Sequence, residues 1–258
     1  MNKKTPRNET AHINKNDGLV FEGIVSLRAL LDSQKRTIER VLVTHEHAKK
    51  LPKELSFLKA KSVERGFTLE VCDSDVIDEI ATGTTHGGLI AVCGERIIPE
   101  STAEAIGDGG FFVMLDGIED PYNFGYALRS LYAAGVDGVI LPPRSWMSAA
   151  GIVCRASAGA SERMELYTAS PEDTADLFKS AGYRIVCADI DDSVSVYDAD
   201  LKKPLLLVVG GERRGISKAL KAAADLTVRL DYGREFDAAL SAASAASILA
   251  FEVFRCNR

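Results

Sequence analysis

Asp116-Gly-Ile-Glu-Asp-Pro-Tyr-Asn-Phe-Gly-Tyr-Ala-Leu-Arg-Ser130 is the stretch whose reading decides the fold. It follows the apolar run Phe111-Phe-Val-Met-Leu115, is punctuated by Pro121 and Gly125, and enters an apolar-periodic segment carrying Arg129. Strand, polar turn, helix is the order in which α/β folds present functional groups at the carboxyl edge of a sheet. Asn123 and Arg129 then lie near the start of one helix. Taken alone, the stretch reads equally well as an N-cap followed by a solvated arginine, because helix starts rich in Asp, Asn and Pro are common.

Downstream of this stretch, strand and helix signals alternate. Strands are expected at Phe111–Leu115, Val139–Leu141, Tyr183–Asp189, Pro204–Gly210 and Leu226–Leu230, and helices at Phe124–Ala134, Ala149–Ala158, Ser170–Ala181 and Ala238–Phe254. The unbroken apolar run Leu205-Leu-Leu-Val-Val209 fits a strand buried on both faces. The expected fold class is therefore α/β, with a mostly parallel sheet and helices on both faces.

Upstream, Leu19, Val20, Ile24, Val25, Leu27, Leu30 and Leu31 recur at helical spacing. Strands are expected at Ile38–Thr44, Thr68–Cys72 and Gly88–Cys93, and helices at 47–66, broken near Pro52, and at Ser74–Ile80. Pro99, Gly107, Gly109 and Gly110 punctuate a poorly apolar stretch. These signals divide the chain into a disordered tail at 1–17, a small α/β domain at 18–98, a linker at 99–110 and a second domain at 111–258.

Composition narrows the functional classes. With 46% hydrophobic and 26% charged residues this is ordinary globular material. No apolar run approaches the roughly 18 to 20 residues that span a bilayer, and the polar first residues lack a secretory h-region, so a cytoplasmic protein away from membranes is expected. The five cysteines are odd in number and widely spaced, with no C-x-x-C, which points away from a disulfide framework or a zinc knuckle, and four of them lie in apolar or mixed runs that read as sites of buried thiols. Net charge is −6 but uneven: residues 1–66 carry 14 Lys or Arg against 8 Asp or Glu, and the remainder 17 against 29. A basic front half suggests a polyanionic partner, although solvated lysines give the same count.

Two further stretches stand out. Leu207-Val-Val-Gly-Gly-Glu-Arg-Arg-Gly-Ile-Ser217 runs a strand into Gly-Gly-x-x-x-Gly, where the backbone can approach a ligand. Its spacing is neither that of the dinucleotide fingerprint nor that of the P-loop, and an ordinary strand-to-helix turn fits as well. The small residues of Ala238–Ala250 permit close helix packing and need no ligand to explain them.

Together the three stretches resemble the motifs of the SpoU (TrmH-like) branch of the SPOUT RNA methyltransferases. Asp120-Pro-Tyr-Asn-Phe-Gly125 with Arg129 is similar to the first motif, Val209-Gly-Gly-Glu-Arg-Arg-Gly215 to the second, and the segment around Leu240–Glu252 to the third. Arg155-Ala-Ser-Ala-Gly-Ala160 matches a small-residue stretch between the first two. The opening helix, Val41–Val43 and Thr85-His-Gly-Gly-Leu-Ile-Ala91 resemble the ribosomal-protein-like substrate-binding domain found in front of many such enzymes, with His86 in a structural turn role.

The resemblance implies S-adenosylmethionine as cofactor, a deep trefoil knot in the second domain, and a homodimer whose site draws on both subunits. It implies methyl transfer to a ribose 2′-hydroxyl of RNA, with rRNA preferred to tRNA because of the front domain, and no metal. Carried over by motif position, the catalytic candidates are Asn123, Arg129, Glu212 and Ser241, and the cofactor-binding candidates Gly210, Gly211, Leu230 and Leu240. Because a guanidinium stays protonated, Arg129 reads as a phosphate clamp rather than a base. One departure bears on activity: Ala239-Leu240-Ser241 stands where the third motif usually has Ser-Leu-Asn. A non-catalytic RNA-binding or ribosome-assembly protein on the same scaffold is the competing reading.

Overall fold

The computed structural model describes residues 18–143 and 149–258; the tail 1–17, read above as disordered, lies outside the described residues. The chain forms two compact units: Thr37–Glu95 with the segment ending at Ile24, and Val25–Arg36 with Arg96–Arg258.

In the first unit, β1 (Leu19–Glu22), β2 (Ile38–Thr44), β3 (Thr68–Cys72) and β4 (Leu89–Cys93) form a sheet in the order β1-β4-β2-β3. The parallel pair β2 and β3 is joined by α2 (His45–Lys50) and α3 (Pro52–Arg65). Thr44 ends β2 and caps α2, its Oγ1 accepting the His47 N–H at 3.1 Å. Pro52 opens α3 where a missing N–H costs nothing, and Gly66 closes it at a φ of 78°. Helix α4 (Ser74–Ile80) lays Ile77 and Ile80 against Leu42 and Ile90. Leu19–Glu22 is a strand, not the first turn of the expected helix. Its four residues pair antiparallel with β4, and α1 (Gly23–Ser33) begins only after them. An apolar run this short carries no periodicity that separates strand from helix.

The second unit contains α5 (Ala103–Ile106), β5 (Phe111–Asp116), α6 (Pro121–Ala133), β6 (Gly138–Leu141), α7 (Ala150–Ala156), α8 (Ala160–Arg163), β7 (Leu166–Thr168), α9 (Pro171–Ser180), β8 (Arg184–Ala188), β9 (Val194–Ser195), β10 (Leu205–Gly210), α10 (Lys218–Ala223), β11 (Leu226–Arg229) and α11 (Ala242–Asn257). Its sheet has seven strands in the order β7-β6-β5-β10-β8-β11-β9, and every neighbouring pair is parallel. The five expected strands are all there. The added pair, β7 and β9, have three and two residues, too few to show alternation.

Side-chain alternation explains the apolar runs. Phe111, Val113 and Leu115 of β5 join Leu205, Leu207 and Val209 of β10 in a core shared with α6 and α11. The intervening Phe112, Met114, Leu206 and Val208 face a second core with Phe178 of α9 and Leu220 of α10. Each strand is apolar at every position because both faces of the sheet are covered. Cys72, Cys93, Cys154 and Cys187 are buried thiols, and burial pushes those of Cys154 and Cys187 up to about 12.

The segment read as a linker at 99–110 is packed within the second unit. Arg96, just before it, is buried and donates to the carbonyls of Ser161 at 2.6 Å and Met164 at 2.8 Å. Glu100 pairs with Thr168, and buried Ile106 offers its carbonyl to the Tyr183 hydroxyl at 2.8 Å. Two anchoring side chains are enough to pin a stretch whose composition is otherwise that of a spacer. Beside Arg96, the Arg36 Nε donates to Glu162 Oε2 at 2.9 Å, with Glu162 only 2% exposed.

Removing the carboxylate from this cluster takes away a buried charge partner of Arg36. Glu162→Ala is expected to lower unfolding stability by about 3–5 kcal/mol in urea denaturation. A loss below about 1 kcal/mol would show that the pair is not needed to hold Arg36.

Candidate active site

The sheet order reverses between β5 and β10. One crossover from β5 leads outward to β6, whereas β10 enters on its other side, so the carboxyl ends of this pair form a topological switch point. Asp116 and Gly210 are register partners at that edge. Beyond them the two chains touch: the Gly211 N–H donates to the Asp116 carbonyl at 2.8 Å, and the Ser217 N–H donates to Asp116 Oδ2 at 2.7 Å. A Cβ on Gly211 would lie 2.1 Å from the Gly117 carbonyl oxygen, and one on Gly210 2.4 Å from the Gly215 carbonyl carbon. Neither position admits a side chain without moving backbone. The turn 211–215 therefore folds back onto the loop that follows β5.

Helix α6 starts in that loop. Asp120 is its N-cap, accepting the Asn123 N–H at 2.8 Å, and Pro121 occupies the first turn. This cap faces Asn123 toward the second motif, where its Nδ2 donates to Glu212 Oε1 at 3.2 Å. Arg213 Nη1 lies 3.7 Å from Glu119 Oε2. A cleft of about 400 Å³ opens between the two loops, lined by Gly117, Asp120, Asn123, Glu212, Arg213 and Ala242 among others.

A second cleft of about 570 Å³ lies at the carboxyl ends of β8 and β11. Leu230, Leu240, Ala245 and Leu249 give it an apolar floor, and Asp189, Tyr232 and Phe236 line it as well. Its size is that of a small-molecule pocket. The Tyr232 and Phe236 rings sit 6.0 Å apart, both partly exposed, and the Tyr232 hydroxyl accepts the Leu240 N–H at 3.2 Å. Lys221, outside the lining, pairs with Asp189. Burial alone would raise the Asp189 carboxyl, but Lys221 and the N–H of Ile190 outweigh it and hold the group below the usual carboxylate range.

The short strip Leu240–Ala242 separates the two clefts, with Leu240 in one lining and Ala242 in the other. Between them Ser241 is the N-cap of α11, its Oγ accepting the Ser244 N–H at 3.2 Å and lying 3.0 Å from Ser244 Oγ. This corrects the expected helix start at Ala238. The cap and the bond from Leu240 to Tyr232 hold 238–241 out of the helix despite its alanines.

The structure thus brings Asn123 and Glu212 together, and separately Leu230 and Leu240. Gly210 and Gly211 lie in neither lining; they pack against the backbone of Gly215 and Gly117. Arg129 lies six residues beyond Asn123 on α6, some 9 Å along the axis, and in neither lining. It is exposed, and no hydrogen bond or ion pair engages it among the described residues. Sequence reasoning missed Asp189 and the Tyr232–Phe236 pair. The signal available for the pair was two aromatic residues inside an otherwise polar, glycine-containing loop.

Among the described residues no cluster of His, Cys, Asp or Glu is placed to hold a metal, and no helix is long and apolar enough to cross a membrane. Family models match both parts of the chain: residues 110–251 fit the SpoU rRNA Methylase family, and residues 20–97 fit an RNA 2′-O ribose methyltransferase substrate-binding family. The 23S rRNA (guanosine-2′-O-)-methyltransferase RlmB of Shewanella oneidensis is 30% identical over 250 residues, which is 95% of this chain and 99% of that protein. An AdoMet-bound rRNA methyltransferase from Sinorhizobium meliloti superposes with a TM-score of 0.77 at 26% identity, covering 93% of this chain and 88% of that one. AviRb from Streptomyces viridochromogenes, at 20% identity and a TM-score of 0.73, shares the fold over 92% of this chain and 89% of its own. Near-complete coverage by an enzyme decides against a non-catalytic scaffold. The chain belongs to the SpoU rRNA Methylase family and is an S-adenosylmethionine-dependent RNA 2′-O-ribose methyltransferase.

Proposed function

We propose that the chain methylates a ribose 2′-hydroxyl of rRNA in the cytoplasm, as a homodimer, through a site that spans the two clefts at the sheet edge. The observation that carries this reading is the Asn123–Glu212 hydrogen bond beside an apolar pocket, with only Leu240–Ala242 between them. The choice of rRNA rests on the Shewanella relative, which matches nearly end to end.

The pocket of Leu230, Leu240 and Leu249 fits a nucleoside in volume and polarity, and we assign it to S-adenosylmethionine. When bound there, the cofactor supplies an electrophilic methyl group. Everything else falls to the chain. Gly210 and Gly211 are assigned to the cofactor by motif position, and Leu230 and Leu240 exclude water from the pocket. Asn123, with Nδ2 committed to Glu212, keeps its oxygen to accept from the ribose hydroxyl and aim it. Glu212 fixes that amide's orientation. Ser241, committed to capping α11, acts on the substrate only through the position it gives Leu240 and Ala242.

Arg129 is assigned the charge-stabilising role: a fixed cation beside a phosphate lowers the cost of the emerging alkoxide, whose proton leaves to that phosphate or to water. Its distance from both clefts is what the dimer resolves. Tyr122, Tyr126 and Arg129 form one exposed row on α6, spaced four and three residues apart, and Ile248 and Phe251 stand exposed on neighbouring α11. A second copy covering this apolar ground would bring Arg129 into a composite site. The trefoil knot implied by the family's fold belongs to the same proposal, as does the division of labour between an RNA-binding front domain at 18–98 and a catalytic domain at 111–258.

Mapping 2′-O-methylated positions in total RNA with and without the gene tests the proposal, with guanosines of 23S rRNA as the first positions to compare. One rRNA site should disappear; loss of a tRNA site alone would overturn the substrate. Arg129→Ala should lower kcat by about 100- to 1,000-fold while calorimetry finds S-adenosylmethionine affinity within about twofold. A comparable loss of affinity would place Arg129 at the cofactor. Leu240→Asp should do the reverse, weakening the cofactor at least about tenfold by putting a charge on an apolar wall. Light scattering should give twice the chain mass, and Phe251→Glu should yield a folded monomer without transfer activity; an active monomer would refute the composite site.

A further inference from the structure

We propose that the first unit holds RNA through the outward face of α2 and α3, with Lys49, Lys53 and Lys59 contacting phosphates. The proposal rests on the reading of this unit as the RNA-binding part. It adds which surface is used and what kind of contact it makes.

Charge in this unit is sorted by element. His45–Arg65 carries Lys49, Lys50, Lys53, Lys59, Lys61 and Arg65 against Glu46, Glu54 and Glu64. Thr68–Ile80 carries Glu70, Asp73, Asp75, Asp78 and Glu79, and no Lys or Arg. The pairing pattern sharpens the contrast. Glu46 is taken by Lys50 at 2.7 Å, Glu64 by Lys61 at 2.7 Å, and Glu54 by His47 at 2.5 Å. All three carboxylates of the two helices are thereby engaged locally. Lys49, Lys53 and Lys59 are exposed and form no ion pair among the described residues. What the helices offer to solvent is uncompensated positive charge.

The shape of α3 suits a polyanion. Only Leu58 of its 14 residues is buried, so most of its circumference faces outward. At 100° per residue, Ser56, Ala60 and Val63 form the middle of the exposed arc, with Lys53 on one flank and Lys59 on the other. Small side chains in the centre let a phosphate backbone approach the helix between the two ammonium groups. Val63, 87% exposed, gives apolar ground on the same arc. Lysines act on phosphate as point charges without bidentate geometry, so this surface docks RNA without reading sequence. The acidic Thr68–Ile80 segment repels the same backbone and so restricts how the RNA lies.

Anisotropy titrations of the full chain with an in vitro transcript of 23S rRNA, across a range of salt, test the surface. Each phosphate contact contributes about 0.7 to 0.9 to the slope of log K against log salt. Lys49→Gln, Lys53→Gln and Lys59→Gln combined should therefore flatten the slope by about two and weaken binding at least tenfold, with S-adenosylmethionine affinity unchanged. The same changes at Lys202, Lys203 and Lys218 of the second unit should leave the slope in place. An unaltered slope in the first variant, or equal losses in both, would overturn the proposal. This outcome separates from the substrate assignment: RNA affinity lost in the first variant without any rRNA site depending on the gene would keep the surface and sink that assignment, whereas a gene-dependent rRNA site with KM unmoved in the first variant would do the opposite.

Discussion

The structure depends on one close approach. Where β5 and β10 end side by side, the Gly211 backbone packs on Gly117 with no room for a Cβ, and the Asp116 carboxylate and carbonyl bind the turn that follows β10. Parallel pairing along Phe111–Asp116 and Leu205–Gly210 delivers the two loops to one place; the glycines let them touch. Both clefts follow from this contact. Asn123 reaches Glu212 because α6 starts immediately after the Gly117 loop, and the β8 and β11 ends open beside it because β8 pairs with the far side of β10.

Physical roles then divide between rigid and adaptable parts. The strands are buried on both faces and fixed by two cores, so they carry no chemistry of their own. Apart from Arg129 in mid-helix, the candidate groups stand on turns and helix starts held by local bonds: Asp120 to Asn123, Ser241 to Ser244, Tyr232 to Leu240. Serine at 241 illustrates the economy of this arrangement. Its oxygen caps α11, a task that its short side chain performs well, and the position it fixes matters to both clefts.

Much of this was legible in the sequence. The continuous apolar run Leu205–Val209 marked β10 as a doubly covered strand, Phe111–Leu115 read as a strand, and α6 was expected at Phe124–Ala134, three residues later than it begins. The Gly-Gly turn read as a place for backbone to approach a ligand, whereas its partner in the structure is the Gly117 backbone. What escaped notice was short, or depended on distant partners. β7 and β9 hold too few residues to alternate, and Leu19–Glu22 blended into the helix after it. Residues 99–110 read as a spacer because nothing local reveals that Arg96 reaches the carbonyls of Ser161 and Met164. The separation of Arg129 from Asn123 follows from helix geometry once α6 is drawn, yet motif order alone places them together.

On this reading the Gly211–Gly117 contact sets the geometry of methyl transfer. Its most direct test is Gly211→Ala, measuring kcat and cofactor affinity on protein whose circular dichroism matches the parent. A Cβ there must displace backbone, and misplacement of about 1 Å costs on the order of 100-fold in rate. A fall in kcat of that size with the fold retained is the expected result; transfer and affinity both within twofold of the parent would contradict the account.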